Sequence, residues 1–307
     1  MNKSFRIIVI LSVIALSGVL MNAVQQNQVE LPKVKNDKDK NTSDTYQIRA
    51  VKIPDNLEFA SEKVPLYKSH IKEDVDREFL VNTYWQSNAL LWIKRTHKYF
   101  PIIEPILKEK GVPNDFKYLA VIESNLMNVT SPAGAKGFWQ MLKNAAKENG
   151  LEVNDNVDER YHLEKATRAA CDYLIKAKKQ LGTWTLAAAA YHAGNAGIAN
   201  GLKEQGVDSY YDLLSGPNTQ RYVPRILAAK EILSNPKKYG FIFDTEDLYT
   251  LTPSYPVKVD TAITNIALFA KKYKTNYREL KILNPWLREN KLNNKSRKVY
   301  YISIPEK

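Results

Sequence analysis

One cysteine, Cys171, stands in 307 residues. No intrachain disulfide can form, which excludes a small secreted domain stapled by disulfides. Cys171 falls inside an apparent helix, Glu164–Leu181, beside Ala169 and Ala170. That is the setting of a small core residue rather than of a reactive thiol. Histidine is scarce as well, and the four present lack metal-ligand spacing, so the sequence asks for no metal and no cofactor. The acidic stretch Asn154–Glu159 has neither the spacing nor the central Gly of an EF-hand and reads as a solvated loop. No nucleic-acid-binding motif is visible, and no convincing strand pattern occurs before residue 245.

Basic charge and aromatic rings are abundant. The net charge is +12, and residues 253–307 hold 12 Lys or Arg against 4 Asp or Glu, so +8 of it lies in that tail. Such a balance points to an anionic membrane or an anionic wall polymer as partner, ahead of nucleic acid, for which no motif is visible. Eighteen Tyr and five Trp supply rings that fill a core and also stack on sugar faces. At the N-terminus Lys3 and Arg6 precede an apolar run, Ile7–Leu20, which reads as a secretory signal or an uncleaved anchor over residues 1–24. No Cys follows the run, so a lipid anchor is not expected. Residues 25–50 are rich in Gln, Asn, Lys and Asp, the composition of a linker.

The rest of the chain turns on residues 114–142. Phe116, Leu119, Ala120 and Glu123 fall at i, i+3, i+4 and i+7, one face of a short helix. Glu123 is the polar member of that apolar stripe. Dehydration there raises a carboxyl pKa and suits the group to act as general acid and then base. The loop Ser131-Pro132-Ala133-Gly134-Ala135-Lys136-Gly137 follows, and Phe138-Trp139-Gln140 then sets aromatic surface beside an amide. A carboxyl, a hydroxyl, an amide and an indole close together suit a sugar-binding cleft. Around this stretch the pattern is helical. One helix runs from Asp74 to Lys98 and is broken by Pro101 and Pro105. Short helices follow over Ile102–Lys110 and Asn144–Asn149, then an alanine-rich one over Trp184–Tyr191 and a last one over Tyr222–Leu233.

Glu123-Ser124, the Ser131–Gly137 loop and Gly137-Phe138-Trp139-Gln140 resemble the lysozyme-like domain of the lytic transglycosylases, in particular the soluble Slt and membrane-bound D branches. Ala189-Ala190-Tyr191-His192-Ala193-Gly194 resembles the family's Ala-Tyr-Asn-x-Gly, and Arg221-Tyr222-Val223 resembles its Tyr-Val element. The resemblance spans about residues 70–240. Beyond it, a β-α-α-β order with Leu283-Asn284-Pro285 before the last strand resembles a LysM module, in which the usual Gly-Asp-Thr is reduced to Val259-Asp260-Thr261. The expected fold is mainly α: a lysozyme-like α-helical catalytic domain with a small C-terminal βααβ LysM-like domain. The expected boundaries are a polar linker over 25–68, the transglycosylase domain over 69–245 and the LysM-like module over 253–305.

The resemblance implies peptidoglycan glycan strands as partner and substrate, with the membrane reached only through an uncleaved N-terminal segment. It implies an exported enzyme that cleaves the bond from N-acetylmuramic acid to N-acetylglucosamine and leaves a 1,6-anhydro end, with Glu123 as acid and then base. It also implies that Ser124 and Gln140 bond polar groups of the sugar. Tyr191 would orient the reacting acetamido group or the carboxyl, and Tyr222 would line the cleft. Two positions depart from the family pattern: His192 replaces an Asn, and Asn218 stands where many relatives carry a Glu. A hydrolytic muramidase on the same fold would need a second carboxylate, for which Asp155 and Asp158 are the candidates. A non-catalytic wall-binding protein is the other alternative.

Overall fold

The computed structural model describes residues 48–306. The expected targeting segment and most of the polar stretch after it lie outside the described residues. The expected linker over 25–68 is corrected from Val51 onward, where Val51, Ile53 and Leu57 pack against the core. A two-residue antiparallel hairpin then forms, β1 (Glu58–Phe59) with β2 (Glu62–Lys63), turning through Ala60 and Ser61 at positive φ. Phe59 is fully buried against Phe116. Strands this short have no readable periodicity, which is why no strand was expected here.

Helices α1 (Ser69–Tyr84) and α2 (Gln86–Lys110) follow. The expected break at Pro101 and Pro105 does not occur, and α2 is continuous through both. The prolines are four apart and both exposed, so the carbonyls that lose their N–H partners face water rather than the core. Helix α2 ends at Gly111, at φ 69°. Next come α3 (Lys117–Ser124), α4 (Lys143–Glu148), α5 (Leu163–Leu181), α6 (Trp184–Ala193), α7 (Asn195–Gln205), a single turn α8 (Pro217–Gln220) and α9 (Tyr222–Ser234).

Helix α6 is the centre of the bundle. Every residue from Thr185 to Ala190 is buried, four of them consecutive alanines, and both α5 and α9 pack on it. Alanine on all faces lets neighbouring helices approach closely with no side-chain entropy lost. The N-terminus of α6 is closed by Glu62 of β2, whose carboxylate accepts hydrogen bonds from the Trp184 and Thr185 amides at 2.7 and 2.8 Å. A carboxylate there satisfies orphan N–H donors and meets the positive end of the helix dipole. Cys171 is buried in α5, and burial pushes its thiol up to about 12.

The C-terminal elements are β3 (Ser254–Val259), α10 (Ile266–Lys272), α11 (Tyr277–Leu283) and β4 (Tyr300–Pro305), the expected β-α-α-β order. The strands pair antiparallel, from Ser254 opposite Pro305 to Val259 opposite Tyr300. Asn284 ties α11 to β4, donating to Ser303 O at 2.7 Å and accepting from Ser303 N at 2.8 Å. The module's apolar cluster takes in Val157 and Tyr161 from the larger domain. Asp158 N donates to Trp286 O and Arg288 N to Asn156 O, at 2.9 and 2.8 Å. The solvated loop expected over Asn154–Glu159 is therefore corrected: Asn154 and Asp155 are exposed, but Val157, Asp158 and Glu159 are buried where the module docks.

Candidate active site

Helix α3 carries Glu123 in its last turn, and its C-terminal end is held in place. Asn125 caps it in the left-handed region at φ 54°, a conformation Asn tolerates. Helix α2 fixes that cap from behind: Trp92 Nε1 donates to Asn125 Oδ1 at 2.7 Å and Arg95 to Asn125 O at 3.0 Å. The loop after it folds on itself through Ser131, whose Oγ accepts from Ala135 N at 3.1 Å. Arg160, paired to Asp158, anchors the loop by donating to Gly134 O and Met141 O, each at 3.2 Å. Gly137 is obligatory there: its φ is 79°, and a Cβ would lie 1.9 Å from Arg160 O.

Of the expected site residues, Glu123 and Tyr222 meet directly. The Tyr222 hydroxyl donates a short hydrogen bond to Glu123 Oε1. Burial raises the Glu123 carboxyl to about 7, against the lowering effects of the Tyr222 hydrogen bond and the Arg225 guanidinium. Tyr222 is buried, and its own phenol is pushed well above the usual range by burial and by the adjacent carboxyl, so it remains a donor. His192 stacks on Tyr222 with ring centroids 4.9 Å apart.

The other expected residues act more on the protein than the sequence implied. The Tyr191 hydroxyl donates to Trp139 O at 2.6 Å, and its ring packs edge-on to Tyr173 and Trp139. Both amide donor bonds of Gln140 go to backbone, to Gly137 O at 2.7 Å and Val129 O at 3.1 Å. Ser124 is buried, with its hydroxyl 2.8 Å from Phe138 O and 3.1 Å from Ala120 O, so it ties α3 to the loop rather than facing a cleft. Asn218 lies exposed on α8. Among the two carboxylates considered as partners to Glu123, Asp155 is exposed, and Asp158 is buried in its pair with Arg160 at 2.8 Å.

Sequence reasoning missed Arg225 and Glu78. Arg225 lies three residues after Tyr222 on α9, on the same helical face, and that spacing was the available signal. Glu78 on α1 is 1% exposed and accepts from Arg77 at 2.7 Å and Arg221 at 2.6 Å, with Arg225 Nε at 3.7 Å. Nothing in the sequence marks Glu78, because its partners on α9 are more than 140 residues away. Among the described residues no group of acidic, His or Cys side chains has a metal-binding arrangement, and no helix is long and apolar enough to cross a membrane.

Residues 100–213 match the family model of the transglycosylase SLT domain, and residues 255–307 match that of the soluble lytic transglycosylase C-terminal LysM-like domain. Glu123, Ser124, Gln140 and Tyr191 fall inside the first match; Tyr222 lies beyond it. The chain is 28% identical over 191 residues to the membrane-bound lytic murein transglycosylase D of Escherichia coli strain K12, and equally to that of strain CFT073. The similarity covers 59% of this chain and only 42% of those relatives. A solved structure of an inactive mutant of lytic transglycosylase Slt from Pseudomonas aeruginosa is similar with a TM-score of 0.38 and 21% identity, over 49% of this chain and 26% of that one. By these two family models the chain carries a transglycosylase SLT domain followed by a soluble lytic transglycosylase C-terminal LysM-like domain.

Proposed function

We propose that the chain is a lytic transglycosylase that cleaves the glycan strands of peptidoglycan at the cell envelope, with Glu123 as the sole acid–base residue. The observation that carries this reading is the half-buried Glu123, with a carboxyl at about 7 and a hydroxyl donor on one oxygen. Near neutral pH such a group exists in both protonation states, so it can give a proton and take one back. Tyr222 occupies Oε1, which leaves Oε2 to carry the proton. Glu123 delivers it to the bridging oxygen while the 2-acetamido oxygen of the muramyl sugar attacks C1. The ionised Glu123 then takes the proton of the 6-hydroxyl as that oxygen displaces the acetamido oxygen from C1, which restores the acetamide and closes the 1,6-anhydro ring. No water is consumed.

A hydrolytic route needs a carboxylate that activates water. Asp158 is committed to Arg160 and Asp155 is exposed, which favours the lytic route. Tyr191 shapes the cleft by holding the Trp139 carbonyl, and Gln140 by holding those of Gly137 and Val129. Within this reading the catalytic domain, expected over 69–245, also includes the segment from Val51 that packs into its core, and the LysM-like module over 253–305 adds affinity for the wall.

The test is digestion of purified sacculi followed by mass spectrometry of the fragments. Muropeptides ending in 1,6-anhydromuramic acid are expected, and reducing ends as the main product would show a hydrolase. Glu123→Gln keeps shape and hydrogen bonding but cannot transfer a proton. It should lose at least about 10²-fold in rate, the low end of a general acid–base contribution, with an unchanged circular dichroism spectrum. Near wild-type release by this variant would remove Glu123 from the chemistry.

A further inference from the structure

A groove of about 640 Å³ runs between helix α2 of the larger domain and helix α11 of the LysM-like module. One wall presents Arg95, Lys98 and Tyr99; the other presents Tyr277, Arg278 and Lys281. No carboxylate lines it. None of its four cations belongs to an ion pair among the described residues, although many other Lys and Arg side chains do, such as Lys68, Lys110, Arg160 and Lys230. Arg95 donates to Asn125 O and Lys281 to the Leu287 and Glu289 carbonyls, which leaves Lys98 and Arg278, one on each wall, as like charges that repel one another unless an anion enters.

The groove adjoins the candidate active site. Leu126 and Met127, which line it, directly follow the end of α3 that carries Glu123. Phe138 lines it too, packs edge-on to Tyr99 at 4.7 Å, and is tied to Ser124 through its carbonyl. Its two walls are held in register by the backbone bonds joining Asp158 to Trp286 and Arg288 to Asn156.

The anion must suit a narrow channel with rings as well as cations on its sides. A membrane surface is too flat to enter it. The sugars of a peptidoglycan strand are largely neutral, and its anionic part is the short peptide on the lactyl arm, which bears free carboxylates and alkyl side chains. We infer that this inter-module groove binds the acidic stem peptide of a strand whose sugars lie at Glu123, so that the LysM-like module completes a peptide-reading subsite. The inference rests on the proposed peptidoglycan activity.

Binding is measured with full-length Glu123→Gln protein, which holds the wall polymer without cutting it. The two probes are peptide-bearing sacculi and the same glycan strands stripped of peptides by an amidase. Tighter binding to peptide-bearing material is expected, with the difference shrinking as salt is raised. Adding Lys98→Glu and Arg278→Glu should weaken binding to peptide-bearing sacculi about tenfold and leave binding to stripped strands unchanged. The milder pair Lys98→Ala and Arg278→Ala should move binding in the same direction, and it serves if charge reversal harms folding. Equal binding of the parent to both probes would overturn the inference, as would an equal loss on both probes in the variants, which would place bare glycan in the groove. Absence of cleavage of either material by the unmodified chain would instead count against the lytic activity itself, so the two failures are distinguishable.

Discussion

At the scale of single residues, the proposed chemistry rests on one carboxyl and the phenol that touches it. Tyr222 donates to Glu123 Oε1 and so favours the ionised form, opposing the burial that favours the neutral one. Removing the hydroxyl in Tyr222→Phe therefore raises the Glu123 pKa above about 7. A general acid is active when protonated, so the alkaline limb of kcat/KM should move to higher pH in the variant, while the rate falls about 10- to 100-fold from lost orientation. A pH–rate profile on soluble glycan fragments checks this. A limb that stays in place or moves to lower pH would mean that the bond seen here is not formed in the working enzyme. The stacking of His192 on Tyr222 gives the residue in place of the family's Asn a contact of its own: it packs on the phenol that holds Glu123.

At the scale of elements, the position of α9 determines the site, because α9 supplies both Tyr222 and Arg225. It lies on α1, α3 and α6, and its polar link to α1 is Glu78. A buried carboxylate surrounded by Arg77, Arg221 and Arg225 is satisfied only while all of them stay in place. Glu78→Gln leaves guanidinium groups at a buried site without their counter-charge, and should cost about 2–3 kcal/mol, somewhat less than a fully buried pair because the arginines are partly exposed. Urea unfolding measures the loss. An unchanged midpoint would show that α9 is held by its apolar face alone.

At the scale of the whole molecule, the LysM-like module shares its apolar cluster with Val157 and Tyr161 of the larger domain. Trp286 lies at the join, 4% exposed, stacked on Tyr300 at 5.6 Å and beside His162. Because that join has a buried apolar core, calorimetry on the full chain should show one transition. Trp286→Ala should lower it as a single event, with a loss of about 3 kcal/mol or more from the emptied contact. Two resolved transitions would mean that the module is tethered rather than docked.

What depends on near neighbours was legible before any tertiary contact was known. Periodicity over a few turns placed the helices around Glu123, Cys171 and Tyr222. The Ser131–Gly137 loop, with Phe138-Trp139-Gln140, marked the region of the site, and the β-α-α-β order of the tail was legible from its short elements. The raised pKa of Glu123 followed from its place on an apolar stripe. Tertiary structure alone decided which partner each side chain meets. Tyr222 rather than Tyr191 reaches the carboxyl, because α9 crosses α3 while Tyr191 is held by Trp139 O. Pro101 and Pro105 leave α2 unbroken, because the bundle exposes that face to water. Asp158 and Glu159 are buried rather than solvated, because a module more than 90 residues later covers them. Local pattern records which face of an element is apolar, but not which distant element will cover it, since that depends on the packing of the whole chain.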